Sequence, residues 1–539
     1  MSKMGKNNKS FQNKSRSKKW NIRKDTSIFH PVFFAIYPVL FLFSNNVFFV
    51  DYTELILPLI LTVSVSVGLF LFLKIFLKNW KKSALIISLG LVLFFSYGHI
   101  YNIVDDYSFE SLYFRHIYLI TIYLGIFSIG SYFIVKSKKE LENITTIANV
   151  VSLSLIIISG ITIGSNLVDE GFGISKSIKS ENLESVTTGN NQSYPSINVK
   201  PDIYYIILDG YTNEIILNEF FSFDNSEFLN FLREKGFFVV PNGHSNYSQT
   251  FQSINSALNM KYVNYLAEEL GKDSRANHKA FQMIDRNKVM SIAKSEGYFI
   301  VNFASNDAKT GNIEVADIAI CEEANPFVKS QFMIMLIRTS ALSPVYVELF
   351  DSHIRERTYC VLSELPNLEE RFNDQKPLFV FAHLLVPHPP YRFGPNGEEI
   401  TPNELELGQS GWDEKKGYID QIMYINKEIS KIVSNIIEKS EVQPVIIIQG
   451  DHGSFHILDA KNPTKDGIRE RMSILNAYYL PDINDDGEDN TYNNITPVNT
   501  FRLVFNKYLN TSFDLLDDHV FYSSYQRPYD FMNVTDMVR

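Results

Sequence analysis

The chain has 539 residues, two cysteines and a formal net charge of −10. That length is too great for one compact domain, and the acidic balance argues against a nucleic-acid partner, which needs a basic face. The one strongly basic stretch, from Lys3 to Lys24, precedes the first apolar run and reads as a topology signal rather than a binding surface.

A membrane-spanning helix needs roughly 20 mostly apolar residues. Five segments meet that requirement, at about 28–50, 55–77, 84–104, 112–135 and 147–167. The first is long for a cleaved signal peptide and four more follow it, so it is read as retained. Basic residues recur on alternate sides. Residues 1–27 form a basic tail, Lys74, Lys78, Lys81 and Lys82 mark the second connection, and Lys136, Lys138 and Lys139 the fourth. The first connection carries Asp51 and Glu54, and the third Asp105, Asp106 and Glu110. The positive-inside rule then predicts a cytoplasmic N-terminus, and an odd number of spans puts everything after residue 168 outside. A polar segment at about 169–200 reads as a linker, followed by a soluble domain over 201–539.

In that domain IYYIIL (203–208), YFIVNFA (298–304), LFVFAHLL (378–385) and PVIIIQ (444–449) read as strands. A helical pattern lies near 226–235, and a long amphipathic one runs from Tyr418 to Ile437. Strands alternating with helices predict an α/β domain with a mostly parallel sheet flanked by helices. Ligands of such sheets bind beyond the carboxyl ends of the strands. Asp209, His388 and the pair Asp451-His452 stand at three such ends. Asp-Gly, Asp-His-Gly and His-Pro-Pro-Tyr are each weak alone, but their shared position predicts a metal site. Cys321 and Cys360 lie outside any zinc-binding pattern and either form an extracytoplasmic disulfide or remain two structural thiols.

The order of these pieces resembles the alkaline phosphatase superfamily, above all its membrane-bound lipoteichoic acid synthases and lipid A phosphoethanolamine transferases. The motifs are IILDGYT with Asp209, NYSQTFQSINSALNM with Thr250, HLLVPHPPY with His388 and QGDHG with Asp451 and His452. The resemblance covers about residues 201–510. It implies an alkaline-phosphatase-like fold in which Thr250 is the nucleophile and Asp209, Thr250, Asp451 and His452 hold a divalent metal. Two carboxylates, an imidazole and a hydroxyl suit zinc or manganese rather than calcium or magnesium. His388 and His244 are the substrate-binding candidates. His244, His383 and His456 are available to a second metal, although His383 on its strand also reads as a core residue. Thr212, three residues after Asp209, competes for the nucleophile's role, and Thr250 also reads as a helix cap.

These readings imply a membrane-anchored phosphotransferase. It would move a phospho-alcohol head group from a membrane lipid to a cell-envelope glycan or lipid acceptor, through a phospho-threonine. A phosphodiesterase or sulfatase-type hydrolase is the alternative within the superfamily. Sulfate-ester chemistry is disfavoured because Thr-Phe-Gln-Ser-Ile stands where sulfatases carry C/S-x-P-x-R. A non-catalytic membrane protein is the alternative from another class.

Overall fold

The structure, a computed structural model, describes residues 27–47, 50, 52–106, 112–138, 141–174, 200–305, 310–311, 313–322, 330–350, 352–375, 377–400, 414–459, 462–482 and 491–539. The basic tail expected before residue 27, Lys139, Glu110 and most of the expected linker lie outside these residues.

Five apolar helices come first: α1 (His30–Asn46), α2 (Ile56–Leu77), α3 (Trp80–Asp106), α4 (Leu112–Lys136) and α5 (Glu142–Ile174). Four of them contain stretches long and apolar enough to cross a membrane, Tyr52–Leu77, Trp80–Tyr101, His116–Lys136 and Glu142–Ser165. The first expected span folds as the 17-residue α1, about 26 Å long at 1.5 Å per residue. It is shorter than the other four, and its Ala35 and Val39 are wholly buried. α5 continues past the expected end at 167, because no proline or cap stops it before Ile174. At one end of the bundle Lys81 pairs with Glu142 at 2.8 Å and Lys82 donates to the Val135 carbonyl at 2.7 Å. These bonds hold the two lysine-bearing connections together.

The remaining chain folds around a seven-stranded sheet in the order β2-β7-β6-β1-β5-β3-β4. Its strands are β1 (Ile203–Leu208), β2 (Phe238–Val239), β3 (Phe299–Phe303), β4 (Ile318–Ile320), β5 (Leu378–Leu384), β6 (Val445–Gln449) and β7 (Asn476–Tyr479). β6, β1, β5, β3 and β4 are mutually parallel, and β7 runs antiparallel to β6. A separate hairpin joins β8 (Phe521–Ser524) and β9 (Arg527–Asn533).

All six residues of β1 are buried because helices cover both sheet faces. The period of two divides them. Tyr204, Ile206 and Leu208 enter one core, with Ile422, Ile425 and Ile429 of the helix Glu414–Lys439. Ile203, Tyr205 and Ile207 enter the other, with Phe251 and Ile254 of the helix Thr250–Asn259 and Phe501 and Val504 of the helix Pro497–Tyr508. The result is a three-layer α/β/α domain in which all four strands expected from sequence are present, three of them at the centre. The short strands β2, β4 and β7 and the C-terminal hairpin carry too few alternating residues to be legible beforehand.

Cys321, just after β4, and Cys360, in the helix Ser352–Glu364, form a disulfide across 39 residues of sequence. That resolves the two readings of these cysteines. A loop of this length predicts that converting both to serine, or adding reductant, lowers the sheet domain's stability by roughly 3–4 kcal/mol. Thermal unfolding with and without reductant checks this, and identical curves would count against it.

Candidate active site

Parallel strands deliver their C-terminal residues to one edge of the sheet, and the site is built there. Asp209 follows β1 and donates its backbone N–H to the Leu384 carbonyl of β5 at 2.9 Å. Asp451 follows β6 by way of Gly450. The Gly210 N–H donates to Asp451 Oδ1 at 3.0 Å, so the ends of β1 and β6 are cross-linked through one of the functional carboxylates. Glycine is required on both sides of Asp451-His452. A Cβ on Gly450 would lie 2.4 Å from the Tyr211 carbonyl oxygen, and one on Gly453 would lie 2.0 Å from that of Glu470.

His452 is wholly buried. Its Nδ1 lies 2.9 Å from the Gly453 carbonyl oxygen, which can only accept, so Nδ1 carries the proton. The Nε2 lone pair therefore faces inward, 3.3 Å from Asp451 Oδ2 and 3.5 Å from Asp209 Oδ1. Thr250 Oγ1 donates to the same nitrogen at 3.2 Å. His388 is arranged alike, its Nδ1 donating to the Pro389 carbonyl at 2.6 Å. Such outward pinning of one ring nitrogen is how metal-ligating histidines are commonly oriented. Asp209, His388 and His452 offer ligand atoms within 4.8 Å of one another, and Asp209, His383 and Asp451 form a second such group.

The electrostatics fit a cation. Asp209 Oδ1 and Asp451 Oδ2 are buried oxygens that accept no hydrogen bond. Burial alone would push Asp209 up, but His388, a hydrogen bond from His383 and the charges of His452 and His383 hold it well below the usual carboxylate range. Asp451 is pushed up to about 6, by burial first and then by the adjacent Asp209 charge. Burial and then Arg471 keep His452 well below the ordinary histidine range, so its lone pair is available. Two carboxylates and an imidazole lone pair pointed at one another repel unless positive charge lies among them. The donor set suits a divalent metal ion.

Thr250 is the first residue of its helix, preceded by Gln249, and no side chain caps that end. Its hydroxyl turns toward His452 instead, so the helix-cap reading does not describe it. Thr212, by contrast, is buried and donates its hydroxyl to the Ser473 carbonyl at 3.0 Å. That bond leaves it joining two loops. His244 is also engaged elsewhere. Its Nε2 lies 3.0 Å from the Val538 carbonyl oxygen, and burial first among several causes lowers its pKa to about 4. Among the described contacts none links it to Asp209, Thr250, Asp451 or His452. His456 braces the loop after Gly453, with Nε2 at 2.9 Å from the Tyr391 hydroxyl and Nδ1 at 3.6 Å from Glu470.

Among the supporting residues, His383 stood in the sequence both as available to a second metal and as a core residue, and no signal marked Arg471, Gln421 or the β8–β9 hairpin. His383 does not simply fill the core. Its Nδ1 meets the Thr310 hydroxyl at 2.7 Å and its Nε2 lies 3.5 Å from Asp209 Oδ2. Its place one residue before the end of β5 was the available clue. Arg471, half-buried, donates Nε–H to the Ser248 carbonyl at 2.7 Å and Nη1–H to the Gly453 carbonyl at 3.2 Å. It thereby joins the loop that carries Thr250 to the loop that carries Asp451-His452. Gln421 donates to the Pro387 and His388 carbonyls and fixes the His388 loop from the long helix. The β8–β9 hairpin supports the Thr250 loop, with Ser248 Oγ donating to the Ser523 carbonyl at 2.8 Å and Gln249 to the Ser524 carbonyl at 3.0 Å.

No family model matches the chain, and no curated protein matches it. Solved structures do. The zinc-complexed C-terminal periplasmic domain of EcEptC from Escherichia coli is 12% identical with a TM-score of 0.41, covering 62% of this chain and 93% of that one. The integral membrane lipooligosaccharide phosphoethanolamine transferase A from Neisseria meningitidis is 12% identical with a TM-score of 0.37, covering 89% and 95%. The lipoteichoic acid synthase LtaP from Listeria monocytogenes is 12% identical with a TM-score of 0.35, covering 61% and 76%.

Metal analysis of purified variants separates the roles within this cluster. Asp209→Asn and Asp451→Asn should each cut bound zinc about 10-fold or more, whereas Thr212→Ala should keep the metal and lose about 1 kcal/mol of stability. Metal retained in both carboxylate variants would remove these residues from the ligand set.

Proposed function

We propose that this chain is a membrane-anchored, metal-dependent phosphotransferase. It moves a phospho-alcohol head group from a membrane lipid to a cell-envelope glycan or lipid by way of a phospho-threonine at Thr250. The observation that carries this reading is the position of the Thr250 hydroxyl. It stands on the first turn of a helix, against His452, beside two buried carboxylates and partly open to solvent.

A divalent cation held by Asp209, Asp451, His452 and the Thr250 hydroxyl would supply the positive charge that lowers the hydroxyl's pKa and offsets charge on phosphoryl oxygens. The residues of the chain do the rest. Thr250 gives up its hydroxyl proton to solvent, so the resting nucleophile is the alkoxide to which it returns on release. Its Oγ attacks the phosphorus of a phosphodiester in line, and the bond from phosphorus to the lipid oxygen breaks. His388, at the partly exposed rim beside Phe455, gives a proton to that leaving oxygen. The first backbone N–H groups of the helix Thr250–Asn259 point toward the phosphoryl oxygens, where the helix dipole favours negative charge. An acceptor hydroxyl then attacks the phosphorus, its proton returns to His388, and Thr250 is released. Water in place of the acceptor would make the same site a phosphodiesterase.

The membrane helices favour a lipid donor and an extracytoplasmic site. Lys78, Lys81, Lys82 and Lys136 gather at one end of the bundle, so the other end faces outward by the positive-inside rule. The disulfide agrees with an oxidising compartment.

Thr250→Ala should lower turnover by about 10³-fold or more with the fold intact. Release of diacylglycerol from labelled phospholipid would measure this, and enzyme quenched during turnover should carry the phospho-alcohol on the peptide containing Thr250. Full activity in Thr250→Ala, or an adduct on Thr212, would refute the nucleophile. A reporter that works only outside the cytoplasm, fused after Arg539, should be active, and a stable but inactive fusion would reverse the topology.

A further inference from the structure

One part of the soluble half packs on the membrane bundle. Residues 330–346 follow β4 and end before the helix Ser352–Glu364. They contain the apolar helix Gln331–Arg338 and the start of another, Ser343–Phe350. Phe332, Met333 and Leu336 are buried against Val39, Leu42, Phe43 and Val47 of the first span and its end, and against Leu55 at the start of the second. The turn that follows pairs its backbone with α3. Gly98 donates its N–H to the Thr339 carbonyl at 3.1 Å, and Ala341 donates to the Phe94 carbonyl at 2.8 Å. Only glycine permits this approach, since a Cβ on Gly98 would lie 2.4 Å from the Arg338 carbonyl oxygen. Ser330 Oγ also donates to Glu54 at 2.6 Å.

All these partners lie at the same end of the bundle: the close of α1, the entry to α2 and the second half of α3. That is the end away from Lys78, Lys81, Lys82 and Lys136. Leu342 and Val345 nevertheless remain 47% and 51% exposed. Apolar residues near that end of the spans, such as Ile103 of α3, are exposed as well, and Arg338 lies over the Tyr346 ring at 5.6 Å. Apolar side chains beside an aromatic ring and a long cation are the composition of a bilayer interface.

We propose that residues 330–346 are a membrane-embedded strap. The segment sits at the headgroup and acyl boundary of the outer leaflet, with Leu342 and Val345 in contact with lipid. The Cys321–Cys360 disulfide closes the base of this loop. β4 ends at the same sheet edge as Asp209 and Asp451, so the strap holds that edge, and the catalytic cluster on it, against the outer face of the bundle. A lipid phosphodiester then reaches Thr250 without leaving the leaflet.

The inference rests on reading α2 to α5 as spans, and the test keeps the two apart. The native chain has no free cysteine, so single cysteines can be labelled with an environment-sensitive dye. The full chain, reconstituted in phosphatidylcholine vesicles, would be labelled at Leu342→Cys, Val345→Cys, Ile129→Cys in α4, or Glu441→Cys in the exposed loop entering β6 at the opposite sheet edge. At 342 and 345 we expect blue-shifted emission, quenched about twofold or more strongly by a shallow nitroxide lipid than by iodide. Ile129→Cys should be quenched by lipid nitroxides, and Glu441→Cys by iodide. Iodide quenching at 342 and 345 with Ile129 still lipid-quenched would overturn the strap alone. Shielding of 342 and 345 from both quenchers would place them against protein, and would also overturn it. Iodide quenching at Ile129 would overturn the spans themselves.

Discussion

The structure depends on one unbalanced arrangement. Asp209 and Asp451 are buried side by side, and the inward lone pair of His452 adds to the negative potential between them. The fold forces this arrangement. Gly210 donates to one carboxylate from the end of the other carboxylate's strand, and the Gly453 carbonyl fixes the imidazole tautomer. Left alone, the cluster repels itself and Asp451 moves toward its protonated form. A divalent cation removes the repulsion, which makes metal affinity and the precision of the loops two aspects of one constraint.

The surrounding elements are arranged to keep that cluster in register. Strands β1, β5 and β6 pair in parallel, so Asp209, His383 and Asp451 arrive at one edge from three segments well separated in sequence. Loops carry the other groups, and each is tied by a buried or half-buried polar residue. Gln421 holds the His388 loop, Arg471 joins the Thr250 loop to that of His452, and Glu470 accepts from Ser454 and the His456 and Ile457 backbone. Breaking one of these ties leaves the ligands present but displaced, which is costly in a site where ångströms matter.

The legible part of this in the sequence was the part written in local pattern. Central strands of near-continuous apolar residues announced themselves, and a polar residue at each carboxyl end marked Asp209, His388 and Asp451-His452. The apolar runs of the bundle were equally plain. What escaped was nonlocal. His383 reads both as available to a metal and as a core residue among its neighbours on β5, and only the pairing of β5 with β1, which sets it beside Asp209, decides between them. Arg471 and the β8–β9 hairpin act on a loop more than 200 residues earlier. Residues 331–337 carried no signal that the surface they cover belongs to the membrane bundle.

The proposed chemistry turns on a cation held by this cluster, so its position is the decisive measurement. Crystals of the full chain grown with zinc, with data collected across the zinc absorption edge, would give an anomalous difference map. The arrangement described above predicts a strong peak about 2.0–2.3 Å from Asp209, Asp451, His452 and Thr250 Oγ1. A zinc-loaded protein with no peak among these four groups, or with its metal bound elsewhere, would contradict it.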